Sequence, residues 1–124
     1  MAIVSANVYF DGIELGHGND TTVARSSAGR IAVEGNLVAH MLTASATLDF
    51  PSISAQSFAD LTITVTGAAL GDSVALGVPT ASVTAGLMFT AWVSATNTVT
   101  VRAHNYSVAA ADPASGTFKA TIVR

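Results

Sequence analysis

From Ala44 to the C-terminal end, hydrophobic and polar residues alternate in six runs, each bounded by Gly, Pro, Asn, Asp or Ser. Strict alternation is typical of a strand with one buried face. Regular spacing of such strands is typical of small antiparallel sandwiches and barrels, so the sequence predicts an all-β fold. The predicted strands are Ser45 to Phe50, Leu61 to Thr66, Ser73 to Val78, Met88 to Ser94, Thr98 to His104 and Thr117 to Val123.

Alternate positions of these runs form an apolar set that predicts one core, and the intervening positions carry mostly threonine. Threonine favours exposed strand positions, so the threonine-rich face is either ordinary solvent-exposed surface or a face buried between subunits. Both interpretations stay open. The predicted inward set is Leu48, Phe50, Leu61, Ile63, Val65, Val74, Leu76, Val78, Phe89, Ala91, Val93, Val99, Val101, Ala103, Phe118, Ala120 and Ile122.

Residues 1–42 hold most of the turn signals and predict an extended hairpin arm, followed by a β-sandwich module over residues 43–124. Asp11-Gly12 between apolar residues predicts a type I′ hairpin, because both central positions of that turn need positive φ. An isolated two-stranded hairpin is marginally stable, so its apolar face needs a partner surface. The resulting candidate subunit contacts are Val8, Phe10, Ile13 and Leu15.

A second hairpin is predicted between residues 21 and 35. A two-residue loop would oppose Val23 to Glu34. A three-residue loop, with glycine in the left-handed position, opposes two apolar residues instead and is therefore preferred. The predicted loop is Ser27-Ala28-Gly29, and the predicted pairs are Val23 with Val33 and Arg25 with Ile31.

The only tryptophan lies on the polar face of the module. A loop at residues 95–97 would place Trp92 opposite Thr100 and diagonally near Arg102. A large aromatic ring beside a guanidinium is a common composition of contact hot spots, so Trp92 and Arg102 are further candidate subunit contacts. The alternative is that Trp92 lies beneath the loop at residues 105–115.

Composition narrows the classes of function. Only 10% of residues are charged, against about 25% in typical domains, and the net charge is −3 with five Lys and Arg. Direct nucleic-acid binding is disfavoured, because it needs many cations to neutralise phosphates. The chain has no cysteine, which excludes disulfides and thiolate metal sites. No signal peptide is expected, and no apolar stretch is long enough to cross a membrane.

Candidate catalytic and metal-ligating residues do not form a known pattern. Asp11, Glu14, His17 and Asp20 recur every three residues, but this spacing matches no calcium loop. His40 and His104 stand alone without a carboxylate in a fixed motif, and no nucleophile-elbow sequence occurs. The sequence therefore predicts a protein that is not an enzyme and has no cofactor or metal.

Two segments resemble proteins of tailed-bacteriophage virions. The first runs from Leu15 to Gly35 and is similar to a stretch with the pattern Leu-Gly-His…Asp-Thr-Thr…Arg…Gly…Ile-Ala-Val-Glu-Gly that recurs in tail fibres and related appendages. The second combines residues 59–65 with residues 112–118 and resembles a β-rich terminal module of several phage structural proteins. The first segment lies in the arm and the second in the module, and neither carries catalytic residues.

This resemblance implies a structural protein of the virion. The short arm and small module favour a capsid cement or decoration protein that binds and stabilises the head lattice at the capsid surface. Its expected partners are copies of itself, as a homotrimer, and the major capsid protein or another virion protein, with no direct contact to nucleic acid or membrane. The alternatives are a tail fibre or spike component, or a carbohydrate-binding receptor module.

Overall fold

The computed structural model describes residues 12–14, 22–28 and 30–124, and the fold of these residues is all-β. The chain divides into two compact units, Met1–His40 and Met41–Arg124. In the first unit, four strands form one antiparallel sheet in the order β1-β2-β3-β4. These strands are β1 (Gly12–Glu14), β2 (Thr22–Ser27), β3 (Arg30–Val33) and β4 (Asn36–Leu37).

The register of the β2–β3 hairpin is confirmed, but its loop differs from the prediction. Val23 pairs with Val33 and Arg25 pairs with Ile31, as expected. The register then shifts between Arg25 and Ser27, and Ser27 pairs with Arg30. A β-bulge in β2 therefore takes up one residue that was assigned to the loop, which preserves the pairing of the apolar residues.

The chain reverses again after β3, at a turn that the sequence analysis placed inside a strand. Glu34 and Gly35 have positive φ values of 51° and 76°, and Val33 pairs with Asn36 on either side of them. Positive φ at both central residues defines a type I′ turn, which matches the twist of the strands it joins.

The first predicted hairpin is only partly covered by the described residues. Gly12 is not a turn residue but the first residue of β1, where it pairs with Ala24. Pairing with β2 gives the backbone of β1 a ladder within a larger sheet, which is more stable than a separate two-stranded hairpin. Three of the four candidate contacts of this hairpin lie outside the described residues, namely Val8, Phe10 and Leu15.

All six predicted strands of the second unit are confirmed. They form two three-stranded antiparallel sheets in the orders β5-β10-β7 and β6-β9-β8. Four strands begin earlier than predicted, β8 and β10 by one residue, β6 by three and β5 by four, so Met41 and Leu42 belong to β5 and pair with β10. The strands are β5 (Met41–Leu48), β6 (Phe58–Thr64), β7 (Ser73–Gly77), β8 (Leu87–Ala95), β9 (Thr98–Asn105) and β10 (Gly116–Val123), with a 3-10 turn at Thr80–Ser82.

One hydrophobic core lies between the two sheets, in the arrangement of a small β-sandwich. Every residue of the predicted inward set is part of it. At its centre the rings of Phe50, Phe89 and Phe118 lie with centroids 5.3–5.8 Å apart. Ile53 and Ala68 were not predicted because they lie in connections outside the alternating runs, yet both are fully buried.

Asn105, at the end of β9, is a buried anchor for the neighbouring loops. Its Nδ2 donates to the carbonyl oxygens of Ile53 at 2.9 Å, Ser54 at 3.2 Å and Ala109 at 2.8 Å. Its Oδ1 accepts hydrogen bonds from the backbone N–H and the hydroxyl of Ser107. A fully buried amide is tolerated only when its polar atoms are paired in this way.

In the turn between β8 and β9, Asn97 adopts the left-handed conformation, with a φ of 60°. Its Oδ1 accepts the backbone N–H of Gly67 at 2.7 Å, and its own N–H donates to the Ala68 carbonyl. The predicted three-residue loop again differs in detail. Ala95 pairs with Thr98, and a bulge lies between Val93 and Ala95.

The predicted outward positions are exposed or partly exposed, with one exception. Thr100 is only 7% exposed, because it lies on the central strand β9, between Thr62 of β6 and Trp92 of β8. Its hydroxyl donates to Ser94 Oγ at 2.7 Å. Thr64 on the edge strand β6 is therefore the better example of an exposed threonine.

We expect substitutions on the two faces of the second unit to have unequal effects. Ile63→Ala or Val101→Ala should lower the free energy of unfolding by roughly 1–4 kcal/mol, through lost burial and the cavity left behind. Thr64→Ala should cost far less. Denaturant titrations of the three variants would measure this, and equal losses on both faces would contradict the assigned core.

We also expect residues 41–124 to fold without the first unit, because every residue of the core between the two sheets lies within them. A chain of residues 41–124 should keep a cooperative thermal transition and its strand signal in circular dichroism. A chain of residues 49–124 is the matched control. It lacks β5, which pairs with β10 over eight residues, and should not fold. Loss of cooperative unfolding in the longer chain would contradict the prediction.

Candidate interaction face

The outer face of the β6–β9–β8 sheet differs from the rest of the described surface because it carries exposed aromatic side chains. Alternation directs every second residue of each strand to this face, and the register then sets the rows across it. One row is Phe58, His104 and Met88, the next is Asp60, Arg102 and Thr90, and the third is Thr62, Thr100 and Trp92.

The aromatic residues of the second unit divide evenly between inside and outside. Three phenylalanines pack in the core, whereas Phe58 is 51% exposed, Trp92 38% and Tyr106 51%. Phe58 and Trp92 lie on the outer face, and Tyr106 joins them through its contact with His104. Exposed aromatic rings gathered on one face are more informative than single apolar residues scattered over a surface.

These rings and one guanidinium form a continuous stack, which we call the aromatic ladder (Trp92, Arg102, Phe58, His104 and Tyr106). The guanidinium carbon of Arg102 lies 3.9 Å from the Phe58 ring centroid and 5.0 Å from that of Trp92. The Phe58 and His104 rings are nearly parallel, 10° apart in plane, at 6.4 Å. His104 and Tyr106 are 4.2 Å apart. Arg102 is thus held over two rings by cation–π attraction.

Asp60 completes the ladder by neutralising Arg102. Nε and Nη2 of Arg102 donate to the two carboxylate oxygens of Asp60 at 2.8 and 2.7 Å. This two-pronged hydrogen bond holds the pKa of Asp60 below its usual value and raises the pKa of Arg102. Asp60 precedes the strand predicted from Leu61, but it lies within β6, because that strand begins at Phe58.

A second ion pair joins the C-terminal residue to a loop. Arg124 donates to Asp72 Oδ2 from Nε at 3.0 Å and from Nη2 at 2.7 Å, and also to the Gly67 carbonyl. Asp72 accepts the Ala69 N–H as well. The pKa of Asp72 is lowered mainly by Arg124. This pair fixes the loop that precedes β7 and takes no part in the aromatic ladder.

The structure brings together two of the candidate contacts predicted from the sequence. Trp92 pairs with Thr100, and its ring lies over Arg102, as the register required. Trp92 as a residue is 38% exposed, which favours the contact prediction over the alternative that a loop covers it. Ile13 lies in β1, where it pairs with Val23.

The sequence analysis missed Phe58, Tyr106 and the ladder position of His104. Phe58 was lost because the predicted strand began at Leu61, although alternation continues back through Asp60 and Phe58. Tyr106 follows the last residue of β9, beyond any periodic signal. Nothing in the local pattern indicates that these rings meet, since their contact depends on the pairing of β6 with β9.

The described residues contain no cluster of three or more His, Asp or Glu side chains that could hold a metal ion. Of the four spaced residues considered above, Glu14 lies in β1, and Asp11, His17 and Asp20 lie outside the described residues. His40 is exposed between β4 and β5. In the part of the chain that the structure describes, no helix is long and apolar enough to cross a membrane.

Comparison of the chain with models of protein families, with curated proteins and with solved structures gave no significant match. The described residues form a small all-β protein with exposed aromatic side chains on the outer face of one sheet.

Replacing Arg102, the partner of Asp60, should shift the titration of Asp60. The lowered pKa of Asp60 means that its pairing stabilises the folded state above the usual aspartate value of 3.8, and that this contribution is lost as the pH falls through the lowered pKa. In Arg102→Gln the pKa of Asp60 should rise toward the usual value. Carboxyl-carbon NMR titration would measure it.

Asp72 provides the internal control in the same spectra, because its pKa is lowered by Arg124 rather than Arg102. Its titration should be the same in the wild-type chain and in Arg102→Gln. An unchanged Asp60 midpoint in the variant would show that the ion pair does not determine the charge state of this face.

Proposed function

We propose that the chain is a non-enzymatic structural protein of a bacteriophage virion, and in particular a capsid cement protein that binds and stabilises the head lattice. The supporting observation is the aromatic ladder, which exposes three rings on a face whose two charged residues, Asp60 and Arg102, neutralise each other. Such a face is suited to contact with other protein surfaces, because aromatic residues and arginine dominate the centres of interfaces.

The remaining surface agrees with a role in an assembly. The outer face of the β5–β10–β7 sheet consists largely of Thr, Ser, Ala and Gly, with Lys119 at its centre. Isolated surfaces of small domains usually carry more charge. The resemblance of two segments to phage virion proteins supports the assignment to a phage particle. The proposed partners are copies of the chain in a homotrimer and the major capsid protein.

A carbohydrate-binding role is less well supported by the ladder. Sugar rings bind to the open faces of aromatic side chains, but one face of Phe58 is covered by Arg102 and His104 stacks parallel to the same ring. The contact of Trp92 with Arg102 also occupies part of that ring. The exposed apolar area that remains on Phe58, Trp92 and Met88 is suited to packing against apolar protein surfaces.

The resemblance described above includes tail fibres and related appendages, so the experiment must locate the protein on the particle. Antibodies against the purified chain, carried on gold, would be applied to purified particles of a phage that encodes it. Label distributed over the head would support the cement proposal. Label confined to the tail would replace it with the tail-fibre alternative, and absence of label from intact and opened particles would overturn the virion proposal.

A further inference from the structure

We propose that the outer face of the β6–β9–β8 sheet binds a second copy of this chain, with Phe58 and Trp92 at the centre of the contact. The proposal concerns association of the chain with itself in solution. It does not require that the chain belong to a virion, so its failure and the failure of the proposed function are distinguishable.

The first argument is the cost of leaving this face in water. Phe58, Met88 and Trp92 are exposed on adjacent strands, and Tyr106 extends the same apolar area beyond the end of β9. Burial of apolar surface is favourable in proportion to its area. The ladder also holds the rings in fixed positions, so that little side-chain freedom remains to be lost on binding.

The second argument is electrostatic and identifies the partner. Asp60 and Arg102 are the only Asp, Glu, Lys or Arg residues on this face, and they lie opposite each other on neighbouring strands. A strongly charged partner would find no net counter-charge here. A second copy presents the same neutral pair, so a contact between copies can place the arginine of one copy near the carboxylate of the other.

The geometry of the pair leaves one nitrogen of Arg102 to donate to the carboxylate of the other copy. Arg102 binds Asp60 through Nε and Nη2, so Nη1 takes no part in the pair. The pair is about one-third exposed on each side. It therefore remains hydrogen-bonded when water is excluded, which avoids the penalty of burying an isolated charge.

The single tryptophan makes the contact measurable in the unmodified 124-residue chain. Sedimentation equilibrium should show reversible self-association as the concentration rises to about 1 mM. Over the same range, acrylamide quenching of Trp92 fluorescence should fall, because the second copy covers the ring. A chain that stays monomeric would overturn the proposal. So would an oligomer in which Trp92 is quenched as strongly as in the dilute protein.

Variants separate this face from other exposed apolar residues. Trp92→Ala and Phe58→Ala should each weaken self-association by about 30-fold or more, as expected for hot-spot residues. Leu70→Ala is the matched control, because Leu70 is 70% exposed in the loop before β7 and lies on neither sheet. Circular dichroism would confirm that each variant is folded.

The comparison with Leu70→Ala completes the test. Unchanged association in Leu70→Ala, together with weaker association in both ladder variants, would support the proposal. Equal weakening in all three variants would assign the association to general surface hydrophobicity. Unchanged association in folded Trp92→Ala and Phe58→Ala would place the contact elsewhere on the chain. Either of the last two results would overturn it.

Discussion

The register of β9 is the constraint on which the second unit depends. This strand is central in its sheet, and its inward residues Val99, Val101 and Ala103 are completely buried. Its outward residues include Arg102 and His104, which hold the aromatic ladder together. Because side chains alternate with a period of two, a slip by one residue would exchange these sets and place a guanidinium in the core. Core and outer face are thus determined by the same pairing.

Turn chemistry at both ends of β9 holds that register in place. At one end, Asn97 adopts a left-handed conformation and binds the loop at Gly67 through its side chain. At the other end, Asn105 binds three carbonyl groups from two loops. The two asparagine side chains thus fix the register of β9 at its ends, and the packing of apolar side chains fixes it in between. Both asparagines satisfy backbone groups that the sheet ladder does not reach.

The parts of the fold that follow from local pattern could be predicted from the sequence. Alternation located all six strands of the second unit and most of its core, and matching of apolar partners selected the correct register in the β2–β3 hairpin, where Val23 meets Val33. The loops were wrong in a consistent way. In the β2–β3 and β8–β9 hairpins a bulge shortens the connection, because bulges add one residue to a strand without changing the pairing beyond it.

Only part of the interaction face could be predicted, because some of its contacts are local and others join strands that are distant in the chain. Trp92 and Arg102 are ten residues apart across one hairpin, so their proximity follows from local register. The contact of Arg102 with Phe58 and Asp60 requires β6 and β9 to become neighbours, although they are about forty residues apart in the chain. No spacing in the sequence encodes this pairing, because it depends on how the two sheets close around the core.

The burial of Asn105 has a further chemical consequence. The residues Asn105-Tyr106-Ser107 form an acceptor sequence for N-linked glycosylation. In the folded chain the Asn105 side chain is fully buried, and its amide nitrogen donates to three carbonyl groups. A glycan on that nitrogen would replace one of the two N–H groups that donate to these loop carbonyls, and the fully buried side chain leaves no room for it. Folding and modification at this position therefore exclude each other, and the native fold masks the acceptor sequence from a transferase.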